Sequence, residues 1–241
     1  MNLVIEIQGL KYSYPGGTVA LDGVEFSLAA GECVALLGAN GSGKTTFAMH
    51  LNGLLVGEGA VRVCGMEVNA STSPENLARV RSNVGVVFQD ADHQLFMPTV
   101  LDDVAFGPAN LGLSAEQALA QARTALEQVG LSGAIVERPP HHLSAGEKRR
   151  AALAGVLAMK PEILVLDEPT TSLDPPGQRE LEDLLQRLPQ AKVIATHDVE
   201  FAQTLATRAA FFQKGKIVAD GLTEEIIRKF AWGRASDRVS R

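Results

Sequence analysis

The chain has 241 residues, 46% hydrophobic and 21% charged, with a formal net charge of −6 from 22 Lys plus Arg against 28 Asp plus Glu. This is the composition of an ordinary globular protein of one large or two small domains, and its acidic balance argues against a general nucleic-acid binder. No apolar run nears the roughly 18 residues of a membrane span, residues 1–6 lack the basic start and apolar core of a signal peptide, and the lone cysteines Cys33 and Cys64 form no C-x-x-C pair, which favours a reduced, cytoplasmic setting over a zinc site or disulfide framework.

In chain order, Leu3–Ile7 and Val24–Leu28 alternate as strands do, with a turn at Pro15-Gly16-Gly17. Cys33–Leu37 reads as a buried strand and Thr46–Asn52 as a helix. Between them runs Gly38-Ala39-Asn40-Gly41-Ser42-Gly43-Lys44-Thr45, which fits G-x-x-x-x-G-K-[ST]. Strand, Gly-rich turn and helix is the context in which backbone N–H groups cradle a polyphosphate. Gly38, Gly41 and Gly43 permit the tight turn, Lys44 offers a point charge to the β- and γ-phosphates, and the Thr45 hydroxyl suits Mg²⁺. The plain alternative is a strand–helix turn that binds nothing. Residues 60–68 predict a strand pair around Gly65, with Cys64 inside an apolar strand-like run, and 84–88 predict a buried strand.

From about 90 to 155 the pattern turns helical. Ser114, with Gln117 at the capping-box position, opens a helix that Gly130 ends, and a second helix spans about 145–159, stopping before Pro161. Strands at 163–166, 193–196 and 209–212 then alternate with helices near 177–187 and 199–206, which implies a parallel sheet covered by helices. A short helix at 222–230, with Thr223 as its cap, precedes a polar, basic tail at 234–241.

Three constellations carry chemistry. The strand at 163–166 ends in Asp167-Glu168, where α/β sheets place their functional groups. Asp167 suits a Mg²⁺ ligand, direct or through water, and Glu168 suits a base that orients a water; two solvated residues opening a loop are the bland reading. Ser144 and Glu147 form an S-x-x-E capping box, and Gly146 lies inside that helix start. A helix start is also an anion site. One γ-phosphate is not easily served by two helix starts of one compact fold, but a second copy of the chain could supply the second. His141-His142 is a poor metal site, since adjacent side chains diverge and no third ligand is near in sequence.

Taken together, the phosphate loop, Leu143–Glu147 and Leu166–Pro169 resemble, in order and spacing, the motifs of an ABC (ATP-binding cassette) ATPase. Gln89, after a strand, is similar to the family's glutamine loop, Ser172-Leu173-Asp174 to its D-loop, His197 to its switch histidine, and Tyr14 to the aromatic that stacks on adenine. By residue type alone, Tyr12 and Tyr14, two apart on one strand face, suit core packing equally well. Residues 87–96, 103–112 and 146–150 resemble the energy-coupling factor branch, whose importers take up cobalt, nickel or vitamins. Ala145 and Glu147 depart from the general signature and are familiar in that branch.

The resemblance implies one ABC ATP-binding domain over 1–241. Its fold is that of an α/β P-loop NTPase with a parallel-sheet core (1–89 and 156–230), an N-terminal antiparallel β subdomain, a helical insert (about 90–155) and a polar tail (231–241). It implies ATP and Mg²⁺ as cofactors. The nucleotide is expected on Tyr14, Gly38, Ala39, Asn40, Gly41, Ser42, Gly43, Lys44, Thr45 and Thr46 of one chain, and on Ser144 and Gly146 of the other. The metal is expected on Thr45, Gln89 and Asp167, and catalysis on Glu168, His197, Gln89 and Lys44. Implied partners are a second ATPase chain, identical or a paralogue, and integral membrane transport subunits at the cytoplasmic face of the cell membrane; no nucleic acid is expected. Phe96, Met97 and Phe106 of the insert would meet those subunits or pack in the core. The resemblance leans to cobalt or nickel as cargo, with a biotin-type vitamin as the alternative. A soluble ABC ATPase of DNA repair or translation would usually carry a long coiled-coil insertion or two cassettes. A P-loop small-molecule kinase would leave Ser144–Glu147 and His197 without roles.

Overall fold

In the computed structural model, which describes residues 2–232, the alternating N-terminal segments form strands longer than their apolar runs: β1 (Leu3–Ser13) and β2 (Val19–Ala29) pair antiparallel. Burial alternates along both, as expected for a sheet with one face on the core. The buried β3 (Cys33–Leu37) leads through the glycine-rich loop into α1 (Lys44–Leu51). β4 (Glu58–Val63) and β5 (Met66–Glu67) complete a four-stranded sheet in the order β2-β1-β4-β5. Cys64 is not in a strand as expected. It shares the tight turn with Gly65, at φ 46° and 75°, because a two-residue hairpin turn with positive φ matches strand twist. Burial pushes both free thiols up to about 11, so neither is a ready nucleophile.

Helix α2 (Pro74–Asn83) was not foreseen. Ser73 caps it and Pro74 opens it, yet only Val80 is buried, so no apolar stripe betrays it in the sequence. β6 (Val84–Val87) and a short 3₁₀ turn at Ala91–His93 lead to α3 (Val100–Asn110), α4 (Ala115–Gln128) and α5 (Ala145–Leu157). Both halves of the Ser114/Gln117 capping box are formed, and Gly130 has φ 75° just past the helix end. β7 (Ile163–Asp167), α6 (Pro175–Arg187), β8 (Ala191–Ala195), α7 (Val199–Leu205) and β9 (Arg208–Gln213) follow. They are succeeded by an unforeseen β10 (Lys216–Leu222) and by α8 (Thr223–Lys229). Thr223 is not the cap of α8. It is the first helical residue, and its hydroxyl donates to the Ala206 carbonyl at 2.5 Å, tying the helix start to the end of α7. Ala231 and Trp232, assigned to a polar tail, belong to the fold, with Trp232 edge-on to Phe211; the tail at 234–241 lies outside the described residues.

The second sheet has six strands in the order β10-β9-β3-β8-β7-β6. All neighbours are parallel except the antiparallel edge pair β10–β9. One apolar cluster joins the helical insert (Val104, Leu126, Leu153) to the sheet (Leu164, Leu166, Ile194). On the opposite face, a second cluster joins the antiparallel sheet (Leu10, Val24, Phe26) to Leu36, Phe47 and Val165. Phe47 packs at 5.2 Å against both Phe26 and Phe212, which pins α1 beneath the loop it carries; burying one such ring stabilises by about 1.5–3 kcal/mol. The C-terminal ends of β3, β7 and β8 therefore open together between the two packed faces. Among the described residues, no helix is long and apolar enough to cross a membrane.

Candidate active site

Backbone sterics set the loop between β3 and α1. Gly38 has φ 141° and a Cβ there would run into the Phe212 carbonyl; Gly43 has φ 114° and a Cβ would lie 2.8 Å from the Ala20 carbonyl oxygen. The Lys44 ammonium donates to the Gly38 carbonyl at 2.6 Å and to Ala39 at 3.2 Å. Burial lowers its pKa, opposed by the nearby carboxylates Glu168 and Asp167. Phosphate oxygens are stronger acceptors than these carbonyls and could take their place. Ser42 is tucked beneath the loop, its N–H on Ala39, its carbonyl accepting from Gly215, and its hydroxyl buried without a partner. Of the expected loop residues, Ser42 thus shapes the turn from below, while Asn40, Gly41, Gly43, Lys44, Thr45 and Thr46 face a cavity of about 420 Å³.

Glu168 follows β7 with φ 44°, a conformation costing a non-glycine residue on the order of 1 kcal/mol. Its N–H donates to Ala195 at 2.8 Å and its carbonyl accepts from Thr171 at 3.2 Å, which holds the strained turn. Its carboxylate Oε2 accepts the His197 backbone N–H at 3.3 Å and lies 2.7 Å from His197 Nδ1. Both side chains border the same cavity as Lys44, together with Tyr14 and Gln89.

Asp167 is buried, and Oδ1 has no hydrogen-bond partner. Burial raises its pKa, with the Thr45 hydroxyl and Lys44 acting in the opposite direction. An unpartnered buried carboxylate oxygen beside a hydroxyl is a donor set for a hard cation. Among the described residues no group of three His, Cys, Asp or Glu could hold a metal alone. That fits Mg²⁺, which takes one or two protein oxygens and completes its shell with water and phosphate. Thr45 and Gln89 border both the 420 Å³ cavity and a wider cleft of about 870 Å³, which also contains Asp167, Ala145, Lys148 and Ser172.

Ser144 and Gly146 line neither space. Ser144 caps α5 on an exposed corner: its hydroxyl accepts the Glu147 N–H at 3.3 Å, and Glu147 accepts the Ser144 N–H at 2.7 Å. Those contacts with Ser144 hold the Glu147 carboxyl below its ordinary pKa. Tyr14 lies just past the end of β1 at Ser13, and its ring meets that of Tyr12 edge to face at 5.2 Å. Tyr12 packs on the core and edge-on to His50, whereas Tyr14 is 41% exposed with its hydroxyl 3.0 Å from Thr46 Oγ1.

Two placements went unread in the sequence. Asp103 is buried in α3, where Oδ1 accepts the N–H groups of Phe96 and Met97, each at 3.0 Å. It steadies a loop on which Phe96, 64% exposed, meets Phe106 edge to face at 5.1 Å; Phe106 is exposed too, while Met97 is half-buried. Arg149 is buried beneath the segment carrying Gln89. The basic run 148–150 signals charge, but nothing local says which of its members turns inward.

The model of the family described as ABC transporter matches residues 21–171. A putative ABC transporter ATP-binding protein of Gloeobacter violaceus is 52% identical over 223 residues, covering 92% of this chain and 90% of the relative. The energy-coupling factor transporter ATP-binding protein EcfA of Methanococcus maripaludis is 46% identical over 227 residues, covering 92% and 81%. Among solved structures, cbiO1 from Clostridium perfringens, described as part of the ABC transporter complex cbiONQ, matches with a TM-score of 0.83 and 33% identity over 98% of both chains. A dimeric ATP-binding cassette in a post-hydrolysis state, bound to ADP and Pi, matches with a TM-score of 0.81 and 26% identity over 91% of this chain and 98% of that one.

Proposed function

The chain belongs to the ABC transporter family, in its energy-coupling factor branch, and on that premise we propose that it is the ATP-hydrolysing subunit of an importer. ATP is its substrate, hydrolysis is coupled to transport, and it works with a second ATPase chain and with membrane subunits. Two chains close head to tail. The triphosphate of each site lies on the phosphate loop of one chain and meets Ser144 and Gly146 of the other. Tyr14 stacks on the base, and Lys44 draws charge from the β- and γ-phosphates. Glu168 takes a proton from the attacking water, and His197, hydrogen-bonded to Glu168, contacts the γ-phosphate. Thr45, Gln89 and Asp167 would hold Mg²⁺, which would supply neutralisation of phosphate charge there. Phosphoryl transfer asks for little covalent help, so positioning and charge supply most of the acceleration.

The observation that carries this reading is a division: Lys44, Glu168, His197 and Gln89 converge on one cavity, while the capped start of α5 lies outside it. The exposed Phe96–Phe106 pair supports docking of the insert against membrane subunits, which would hold the chain peripherally at the cytoplasmic face. Cobalt or nickel as cargo, with a biotin-type vitamin as the alternative, rests on the resemblance of residues 87–112 to that branch. The test is co-purification with membrane partners followed by reconstitution into liposomes. ATP-dependent uptake of labelled cobalt or nickel is expected, and uptake of biotin alone would move the cargo assignment. A chain that binds no membrane protein yet hydrolyses ATP at full rate would end the importer reading.

A further inference from the structure

Arg149 lies in the second turn of α5 and is 5% exposed. Its guanidinium donates through Nη1 to the Phe88 carbonyl at 2.8 Å, and through Nη2 to the Gln89 carbonyl at 2.8 Å and the Thr171 carbonyl at 3.2 Å. All of these acceptors are backbone oxygens. Burying a cation whose direct partners are neutral carbonyls, with only the nearby Asp90 carboxylate to offset the burial, is a costly way to fill space, and apolar side chains often replace buried charges without loss. What a planar fork supplies, and a point charge does not, is several directed bonds at once. Here they reach two separate chain segments, the one around Gln89 and the one that follows Glu168. Next to Arg149, Lys148 donates to Asp92 at 2.6 Å, so α5 grips the 88–92 segment at both ends. Gln94 laces the same segment back on itself, accepting from the Phe88 N–H at 2.8 Å and donating to the Val86 carbonyl at 3.1 Å.

We propose that Arg149 is a positioning residue that makes Gln89, Thr171 and the Ser144–Gly146 helix start one mechanical unit. The Gln89 segment is thereby held in place relative to the Asp167–Glu168 turn, to which Thr171 is itself bonded. The proposal rests on the roles given above to Gln89 and to the α5 start, and it deepens them.

The test compares the full chain with Arg149→Lys, Arg149→Met, Gln89→Ala and Gln89→Ala/Arg149→Lys. Hydrogen exchange without nucleotide is read first. Amides 88–94 should exchange about tenfold faster in both Arg149 variants, with β3 and β7 unchanged. Steady-state turnover is read second. Arg149→Lys should lose about 10- to 100-fold in kcat with the KM for ATP within about threefold, the split expected of a group that acts on positioning rather than on binding. The double variant should be no slower than the worse single variant, because Arg149 acts through Gln89. Unchanged exchange at 88–94, or losses that multiply in the double variant, would overturn the proposal. If Gln89→Ala leaves turnover unchanged, the role of Gln89 fails instead, and the exchange data still decide whether Arg149 holds the segment.

Discussion

On the proposed reading the starts of α1 and α5 both face phosphate, and the chain treats their free N–H groups differently. At α1 no side chain caps the helix, no acid occupies the first turn, and Gly43 leaves the amides open. At α5 a capping box occupies two of the N–H groups, those of Ser144 and Glu147, and Glu147 adds a negative charge. The α1 end therefore has the open amides of an anion site, which the proposed triphosphate would complete. At the α5 end the box satisfies the Ser144 and Glu147 N–H groups, which leaves the Ala145 and Gly146 N–H groups to donate outward. On the proposed head-to-tail closure, the α1 end would hold nucleotide within its own chain and the α5 end would meet the nucleotide of the other.

Glu168→Gln gives the largest break in this asymmetry. Turnover should fall by about 10³-fold or more while ATP binding at the α1 end persists, because the amide keeps its shape but no longer takes the proton of water. Turnover near the normal rate would remove Glu168 from its role. Ser144→Arg comes next. Placing a long cation on the exposed corner should cost about 100-fold in turnover through blocked closure, with nucleotide affinity of the isolated chain within about threefold. Equal loss of affinity in a titration of the isolated chain would mean that the two helix starts are not independent.

Much of this contrast is legible in the sequence because both ends are built from local patterns. The phosphate loop is a contiguous string, and S-x-x-E is a capping box within one turn. Elements whose signal is not local were harder to read. α2 buries only Val80, and β10 is an edge strand whose pattern is broken by Asp220 and Gly221, so neither shows an apolar period. Thr223 looks like a cap by residue type, but a tertiary partner, the Ala206 carbonyl, claims its hydroxyl. Arg149 is the clearest case: its partners lie 22, 60 and 61 residues away, a relation that only the folded chain discloses.

Smaller perturbations separate the two helix starts further. Glu147→Ala should remove half of the α5 capping box and cost about 0.5–1 kcal/mol of stability, read as a lower Tm, with the α1 end unaffected. The pH dependence differs between the two helices. His50 of α1 is buried, its Nδ1 is 2.7 Å from the Thr46 carbonyl and its Nε2 is unpartnered, and burial lowers its pKa below the ordinary 6.5. The unfolded chain then binds a proton that the folded chain refuses, so stability falls as pH drops below about 6.5. Glu147 has the opposite charge type and a lowered pKa, so its contribution is present above 4.5 and fades only as pH falls through its folded value. Acid should therefore loosen α1 before α5. His50→Gln should flatten the stability slope between about pH 5 and 6.5 in denaturant titrations; an unchanged slope would show that His50 does not set it.

Sedimentation of the Glu168→Gln protein asks whether two chains enclose each ATP. With MgATP it should run as a two-chain particle holding two nucleotides, and addition of Ser144→Arg to the same chain should return it to single chains that still bind ATP. A single-chain species that binds ATP and, without the Glu168 change, hydrolyses it at a rate per chain independent of concentration would contradict the account.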